Sequence, residues 1–186
     1  MHSTPDLKLI GQVADGAELL ELALYVDADF AGDRTDAKSS SGGYLVLKGP
    51  NTFFPLSWVS KKQTSVSRST TEAELISMAY SLYHEALPML TLWEGLLMRR
   101  VTLRIFEDNE ATIKVVKKGY SSKLRHVGRT HKVNIASLHD TVSVDSVIIE
   151  YVQTHLQAAD VFAKSLEPQK WGNALALLGM HQVDVT

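Results

Sequence analysis

Four acidic residues occupy positions where an α/β fold could bring them together. Asp27 closes the apolar run 22–26, Glu74 lies early in a predicted helix, Asp108 follows a predicted strand, and Asp160 begins a late predicted helix. Burying an unpaired carboxylate at a strand end is unfavourable, so a cation is expected to neutralise it. Oxygen ligands without any cysteine favour Mg²⁺ or Mn²⁺ over zinc. Paired ions of this kind support phosphoryl displacement.

Each acid also has a structural explanation. Asp27 could start a turn. Glu74 and Asp160 could stabilise helix N-termini, where negative charge is favourable. Considered singly the acids are weak indicators, and it is their order along the chain that favours a metal site.

The predicted elements explain how these acids would converge. Apolar runs and turn residues predict strands over 22–26, 43–47, 53–60, 101–106 and 147–152. Helices are predicted from about Ser69 to Leu87, where Pro88 ends or interrupts the helix, and over 90–100, 109–118, 130–139, 158–166 and from Pro168 onward. This order predicts an α/β fold with a mixed five-stranded sheet, in which three antiparallel strands precede parallel ones and helices flank the sheet.

Composition describes an ordinary globular domain. The 186 residues suit one domain over 1–186, and 45% of them are hydrophobic. No apolar run reaches the ~20 residues of a membrane helix, and the chain does not open on a signal peptide. Without cysteine, the chain has no disulfide, thiolate zinc site or cysteine nucleophile.

Basic residues concentrate in one acid-free segment. This basic arm, residues 117–132, contains Lys117, Lys118, Lys123, Arg125, Arg129 and Lys132. The arm could be a solvated face or could bind a phosphate backbone. His126 and His131, five residues apart, have no recognised zinc spacing. We expect both histidines to contact phosphate or solvent.

Two further polar segments could contact nucleic acid. The loop after Asp27 carries basic and hydroxyl side chains suited to phosphate or 2′-hydroxyl contacts, at Arg34, Lys38, Ser39 and Ser40. A flexible loop is the alternative. The segment after a predicted strand, with Lys61 and Lys62, could also touch the backbone, whereas Trp58 in that strand is expected to pack in the core.

The motifs together resemble those of one family. The sequence is similar to the ribonuclease H domain of copia-type LTR retrotransposon reverse transcriptases, in the Pol polyprotein. The matching segments are Asp27–Gly32, Ser39–Gly42, Ser57–Gln63, Ser67–Glu74, Asp108–Asn109, Leu124–His126, Tyr151–Thr154 and Ala159–Lys164. Two departures are Ala163, where threonine is expected, and the short spacing between His155 and Asp160.

The resemblance implies a ribonuclease H-like fold and its chemistry. Two Mg²⁺ ions, for which Mn²⁺ could substitute, would be held by Asp27, Glu74, Asp108 and Asp160. The RNA strand of an RNA–DNA hybrid would be hydrolysed to 3′-hydroxyl and 5′-phosphate ends, and the 2′-hydroxyl would distinguish RNA from DNA. His155 could move protons or help release product.

The resemblance also selects among neighbouring acids. It favours Asp27 over Asp29, and Glu74 over Glu72, which is explained as a capping-box residue. Asp108 is favoured because Glu107 would point to the opposite side of an extended strand.

The implied substrate and partners follow. The expected nucleic-acid contacts are Arg34, Lys38, Ser39, Ser40, Lys61, Lys62, Asn109, Lys123, Arg125 and Arg129. The expected partners are an RNA–DNA hybrid and the reverse transcriptase domain of the same polyprotein, without a membrane. Residues 1–20 would end the connection from that domain, and 168–186 would form a C-terminal helix and tail.

The expected location and the alternatives complete the interpretation. The family implies a cytoplasmic virus-like particle, or the nucleus together with the integration machinery. The alternatives are a catalytically weak or inactive connection-type domain that grips template and primer, and a ribonuclease H-fold nuclease that acts on DNA.

Overall fold

A computed structural model of the chain describes residues 6–33 and 35–182. The strands are β1 (Leu7–Leu9), β2 (Glu21–Asp29), β3 (Ser40–Lys48), β4 (Phe53–Lys62), β5 (Leu103–Glu107), β6 (Val147–Tyr151) and β7 (Met180–Gln182). The α-helices are α1 (Thr70–Ser81), α2 (Leu87–Leu97), α3 (Glu110–Lys118), α4 (Val127–Thr130), α5 (Ile135–Val142), α6 (Asp160–Ala163) and α7 (Trp171–Leu177).

The main sheet has the predicted mixed topology. Its strand order is β4-β3-β2-β5-β6. The β2–β3 and β3–β4 pairs are antiparallel, whereas β2–β5 and β5–β6 are parallel. The predicted α/β fold class is therefore confirmed. A second sheet, formed by the antiparallel pair β1 and β7, was not predicted.

Each face of the main sheet covers a different core. Alternate residues of β2 enter the two cores, because successive side chains of a strand point to opposite faces. Leu22 and Leu24 pack in the larger core with Leu75 and Met78 of α1. Ala23 packs on the other face with the smaller cluster that includes Ala158 and Leu178.

One long helical run contains a π turn ahead of its proline. Residues Leu82–Ala86 form this turn between α1 and α2, and the Leu87 amide donates to the Leu82 carbonyl. Pro88 lacks an amide hydrogen and would clash with a carbonyl four residues earlier in a regular α-helix. The π turn accommodates this restriction, so Pro88 interrupts the regular α-helix without ending the run.

Several predicted boundaries differ from the observed ones. The predicted helix 130–139 is wrong, because the chain breaks between α4 and α5 at Lys132, whose φ is 60°. Asn134 then caps α5 by accepting from the Ala136 and Ser137 amides. The predicted helix 158–166 is limited to α6, since Lys164 is extended.

The first strands are longer than predicted. β2 continues through Asp27 to Asp29, and β3 already begins at Ser40. Asp27 is therefore paired within the sheet, opposite Gly42, instead of following the strand. Trp58 on β4 is 59% exposed, so its predicted role in core packing is wrong.

Candidate metal centre

Three of the predicted acids meet at one edge of the main sheet. Asp27 lies on β2 and Asp108 directly follows β5, the parallel neighbour of β2. Glu74 lies in the second turn of α1, which packs against β2 and β3. One carboxylate oxygen from each of Asp27, Glu74 and Asp108 lies within 4.8 Å of the others. The topology thus brings together side chains that are far apart in sequence.

These acids are largely removed from water. Asp27 is fully buried, and Glu74 is buried, while Asp108 is half-buried and accepts a hydrogen bond from Thr154 Oγ1 at 3.0 Å. Within the described residues, neither carboxylate oxygen of Asp27 has a hydrogen-bond partner, and the same holds for Oε2 of Glu74. Unpaired buried carboxylate oxygens that converge on one point fit a site for a hard cation.

Burial and mutual repulsion perturb these groups. Burial raises the pKa of Asp27 to about 7, partly opposed by the charge of Lys164. Burial also raises the pKa of Glu74, and the neighbouring Glu107 and Asp27 raise it further. Both effects disfavour the charged forms, and a bound divalent cation would relieve both.

The fourth acid is joined to the others by a lysine. Asp160 begins α6 outside the close group of three, and its Oδ1 lies 3.2 Å from Lys164 Nζ. The same ammonium lies 3.0 Å from Oδ1 of Asp27. Burial lowers the pKa of Lys164, but the Asp27 and Asp160 carboxylates raise it to a net value above the ordinary one. The sequence reasoning assigned no role to this lysine.

Glu107 differs from its prediction. It is fully buried, and burial raises its pKa well above the ordinary value. Its carboxylate interacts with those of Glu74 and Asp27 instead of pointing away from them. Its Oε1 accepts from the Asn109 amide at 3.0 Å, and this bond turns the chain at the end of β5. Asp29, by contrast, is half-buried and outside the group of three.

A buried glutamine connects the strands that carry the acids. The Nε2 of Gln157 donates to the Val26 carbonyl at 2.9 Å and to the Phe106 carbonyl at 3.4 Å. Its Oε1 accepts from the Ala159 amide at 3.3 Å. These partners precede three of the predicted acids by one or two residues, so a single amide fixes their backbones relative to one another. A lone glutamine in a loop gave no sequence signal for this role.

His155 lies near the acids but not among them. It is exposed in a short 3₁₀ helix (Thr154–Leu156), where its carbonyl accepts from Asn173 Nδ2. His155 and Asp160 line the same cavity of about 510 Å³. This placement leaves its predicted role in proton movement a prediction.

The predicted contacts near Asp27 have mixed surroundings. Arg34 lies outside the described residues. Ser39 is fully buried and its hydroxyl accepts from the Ala31 amide, so its predicted phosphate contact is contradicted by this burial. Ser40 is half-buried at the start of β3, and Lys38 pairs with Asp36.

The next candidates are partly engaged within the chain. Lys62 forms ion pairs with Asp33 and Asp36, and Lys61 lies over the Tyr80 ring at 4.1 Å. Asn109 caps α3 by accepting from two backbone amides, so its side-chain oxygen is already used.

The arm remains the most accessible basic surface. Lys123, Arg125 and Arg129 are all exposed. Arg125 contacts Tyr120, whose hydroxyl accepts from Nε at 3.0 Å. This exposure suits the predicted phosphate contacts.

The two histidines of the arm have a different environment from the predicted one. Both contact the carboxylate of Glu72, which comes from the first turn of α1. They therefore face an acid 54 and more residues away along the chain, which their local spacing could not indicate. The Glu72 amide also donates to Ser69 Oγ, in agreement with the predicted cap.

Sequence comparison finds similar proteins among transposon polyproteins. The chain is 31% identical over 165 residues to the retrovirus-related Pol polyproteins from transposons RE1 and RE2 of Arabidopsis thaliana. It is 28% identical over 158 residues to that from transposon TNT 1-94 of Nicotiana tabacum. The first two matches cover 88% of this chain but 11% of each relative, so the chain spans about a tenth of their length. No protein-family model matches the chain.

Structure comparison gives the fold. The structure of LC11-RNase H1, isolated from compost by a metagenomic approach, has a TM-score of 0.53 at 14% identity and covers 77% of this chain and 92% of that one. RNase H1 from the halophilic archaeon Halobacterium salinarum has a TM-score of 0.50 at 14% identity, with 84% and 98% covered. At this identity the likeness shows the fold alone.

Proposed function

Because the homologues of this chain are copia-type Pol polyproteins and its structural neighbours are ribonuclease H domains, we propose that it is a metal-dependent endonuclease for RNA–DNA hybrids. It would hydrolyse the RNA strand during reverse transcription of a retrotransposon. The observation that carries this proposal is the convergence of Asp27, Glu74 and Asp108 within 4.8 Å.

The residues present fit a pair of Mg²⁺ ions, with Mn²⁺ as a substitute. Asp27, Glu74 and Asp108 would hold them, joined by Asp160 once Lys164 releases its carboxylate. The converging oxygens are carboxylates, the donors that Mg²⁺ prefers, and those of Asp27 lack hydrogen-bond partners among the described residues. When bound, such ions supply stabilisation of the charge on the attacking and leaving oxygens of a phosphodiester.

The chain's own side chains prepare this site. Gln157 holds the two strand ends and the start of α6 together, and the Ser77 hydroxyl donates to the Asp27 carbonyl at 2.7 Å. Thr154 orients Asp108 through its hydroxyl. Lys164 keeps the carboxylates of Asp27 and Asp160 charged, because its ammonium favours their ionised forms.

We propose the partners on the same basis. The basic arm would bind the phosphate backbone of the hybrid, and the reverse transcriptase domain of the same polyprotein would supply further grip. We place this activity in a cytoplasmic virus-like particle or, with the integration machinery, in the nucleus. In the described residues no helix is long and apolar enough to cross a bilayer.

One observation favours a second function. Lys164 sets a positive charge against two of the four acids, as expected of a connection-type domain that grips template and primer without cleaving. The two functions make opposite demands on the site, since catalysis requires metal to displace this ammonium and gripping does not.

The test is a gel assay on purified protein. A labelled RNA–DNA hybrid, duplex RNA and duplex DNA would each be incubated with Mg²⁺ or Mn²⁺, with Asp108→Asn as the control. Cleavage of the RNA strand of the hybrid alone, lost in the variant, is the expected result. Equal cleavage of duplex DNA would indicate a DNA nuclease, and hybrid binding without cleavage in either metal would indicate the gripping domain.

A further inference from the structure

Glu72, His126 and His131 form a polar cluster between the start of α1 and the basic arm. Each histidine approaches a different oxygen of the same carboxylate. His126 Nε2 lies 3.1 Å from Oε2 of Glu72, and His131 Nε2 lies 3.0 Å from Oε1. None of these three residues belongs to the group of acids at the candidate metal centre.

The cluster contains buried polar atoms that lack partners. The side chains of Glu72 and His131 are each 1% exposed. Across the described residues, both ring nitrogens of His131 and Oε1 of Glu72 have no hydrogen-bond partner, although Nε2 and Oε1 are close. Their contact is therefore not aligned as a hydrogen bond. Buried groups left in this way are unfavourable unless another species satisfies them.

The spacing of the donor atoms suits a shared metal ion. Two atoms that are each about 2.1 Å from one ion lie roughly 3.0–3.4 Å apart at ordinary coordination angles. The two observed separations, 3.0 and 3.1 Å, fall in this range. Two imidazoles with one carboxylate form a donor set that favours zinc-class transition metals and not Mg²⁺. His126 is 26% exposed, which leaves solvent a route to the cluster.

We propose that Glu72, His126 and His131 bind one divalent transition-metal ion of the zinc class. The ion would join the arm to the first turn of α1, two residues before Glu74 in the chain. It would thereby hold the proposed phosphate-binding surface in a fixed position relative to the candidate metal centre. The site is independent of cleavage, because none of its ligands is a proposed ligand of Mg²⁺.

The test measures metal binding directly. Untagged protein carrying Asp108→Asn, which weakens the competing acidic site, would be titrated with Zn²⁺ by calorimetry and with Co²⁺ by visible absorption, both in excess Mg²⁺. One equivalent should bind, and Co²⁺ should show the absorption bands of imidazole coordination. Adding His126→Ala or Glu72→Gln should weaken binding by more than about 100-fold, the upper end for loss of an outer-shell partner.

The controls separate this site from general histidine binding. His84 lines the same cavity of about 440 Å³ as His131 but contacts the Tyr80 carbonyl, so His84→Ala should leave Zn²⁺ affinity unchanged. His126 is half-buried, so His126→Ala should fold even if removal of the buried His131 prevents folding. Absence of Zn²⁺ binding, or equal affinity with and without His126, would overturn the proposal and leave the cluster a purely electrostatic contact.

Discussion

The ammonium of Lys164 lies 3.0 Å from Oδ1 of Asp27 and touches Asp160 four residues before it in the chain. One lysine thus holds carboxylates from β2 and α6 at the place where a metal ion is proposed to bind. An ion that binds there must displace or repel this ammonium.

Lys164→Met should tighten Mn²⁺ binding at mildly alkaline pH. The substitution keeps a long side chain but removes the charge that competes with the ion. Calorimetric titration of both proteins at the same pH would measure the change, with Lys164→Arg as the charge-retaining control. Weaker Mn²⁺ binding in Lys164→Met would contradict this competition and indicate that the lysine supports the site.

Asp108→Asn should abolish cleavage and weaken Mn²⁺ binding. The amide preserves shape but removes a ligand charge, and the loss of affinity should be at least about 100-fold. Calorimetry and circular dichroism would report metal binding and folding. Asp29→Asn is the matched control, because Asp29 lies outside the group of three, and it should leave binding nearly unchanged. Equal losses in the two variants would refute the assignment.

The metal-free protein should lose stability as pH rises through neutrality. The pKa of Asp27 is raised from 3.8 to about 7, and that of Glu74 is also raised, so the folded state holds more protons than the unfolded state. The stabilisation from Asp27 is therefore complete below pH 3.8 and is lost as pH rises through about 7. Urea unfolding with a chelator would measure this decline between about pH 5 and 8.

Added Mg²⁺ should counteract that decline, because it binds the ionised carboxylates of the folded state. Asp27→Asn is the control, since it removes one titrating group and should flatten the decline. A metal-free stability that rises with pH over the same interval would contradict the prediction.

Neutralising the arm should weaken hybrid binding and its dependence on salt. In the triple variant Lys123→Gln, Arg125→Gln and Arg129→Gln, each lost phosphate contact should lower the magnitude of the salt slope by about 0.7–0.9. Fluorescence anisotropy over a range of salt concentrations would measure it, and cleavage at saturating substrate should fall much less. A slope equal to that of the parent would place the phosphate contacts elsewhere, at Lys61 and Lys62 first.

Gly42→Ala should destabilise the fold and disturb the site. A Cβ at this position would lie 2.7 Å from the Ala159 carbonyl and 2.8 Å from the Ala163 amide, both of them backbone atoms of the α6 region. Such overpacking should reduce the free energy of unfolding by about 1–3 kcal/mol. Thermal unfolding and Mn²⁺ titration would measure the two effects.

Gly95→Ala is the matched control for that substitution. Gly95 lies within α2, and a Cβ there meets nothing within 4 Å. Alanine should raise the free energy of unfolding by about 0.5–1 kcal/mol, because glycine weakens helix interiors. If both variants were equally stable, the close approach of α6 to β3 would not limit this position.

Local signals predicted much of the fold. The apolar run before Asp27, the turn residues after it and the Ser69 cap are short-range patterns, and the structure contains the corresponding strands and helix. Boundaries were less predictable where tertiary contacts override such patterns. Lys164 leaves the helical conformation as its side chain pairs with Asp27, a residue 137 positions earlier, and the sequence around Lys164 contains no sign of this.

The candidate site shows the same division. Acids at strand ends and helix starts could be predicted from sequence because an α/β sheet gathers such positions. The roles of Gln157 and Lys164, and the pairing of His126 with Glu72, depend on contacts between distant segments. Glu107 could not be placed by strand alternation, since the turn held by its bond to Asn109 redirects the chain at the end of β5.

The small β1–β7 sheet sets a practical limit on expression fragments. Leu9 pairs with Met180, the Ile10 amide donates to the Gly179 carbonyl, and the Tyr44 hydroxyl donates to the Leu178 carbonyl. A fragment that begins at β2 would leave β7 without its partner strand and expose an unpaired edge to other molecules. Fragments for crystallisation or screening should therefore retain both short strands, because trimming one would expose the other to aggregation.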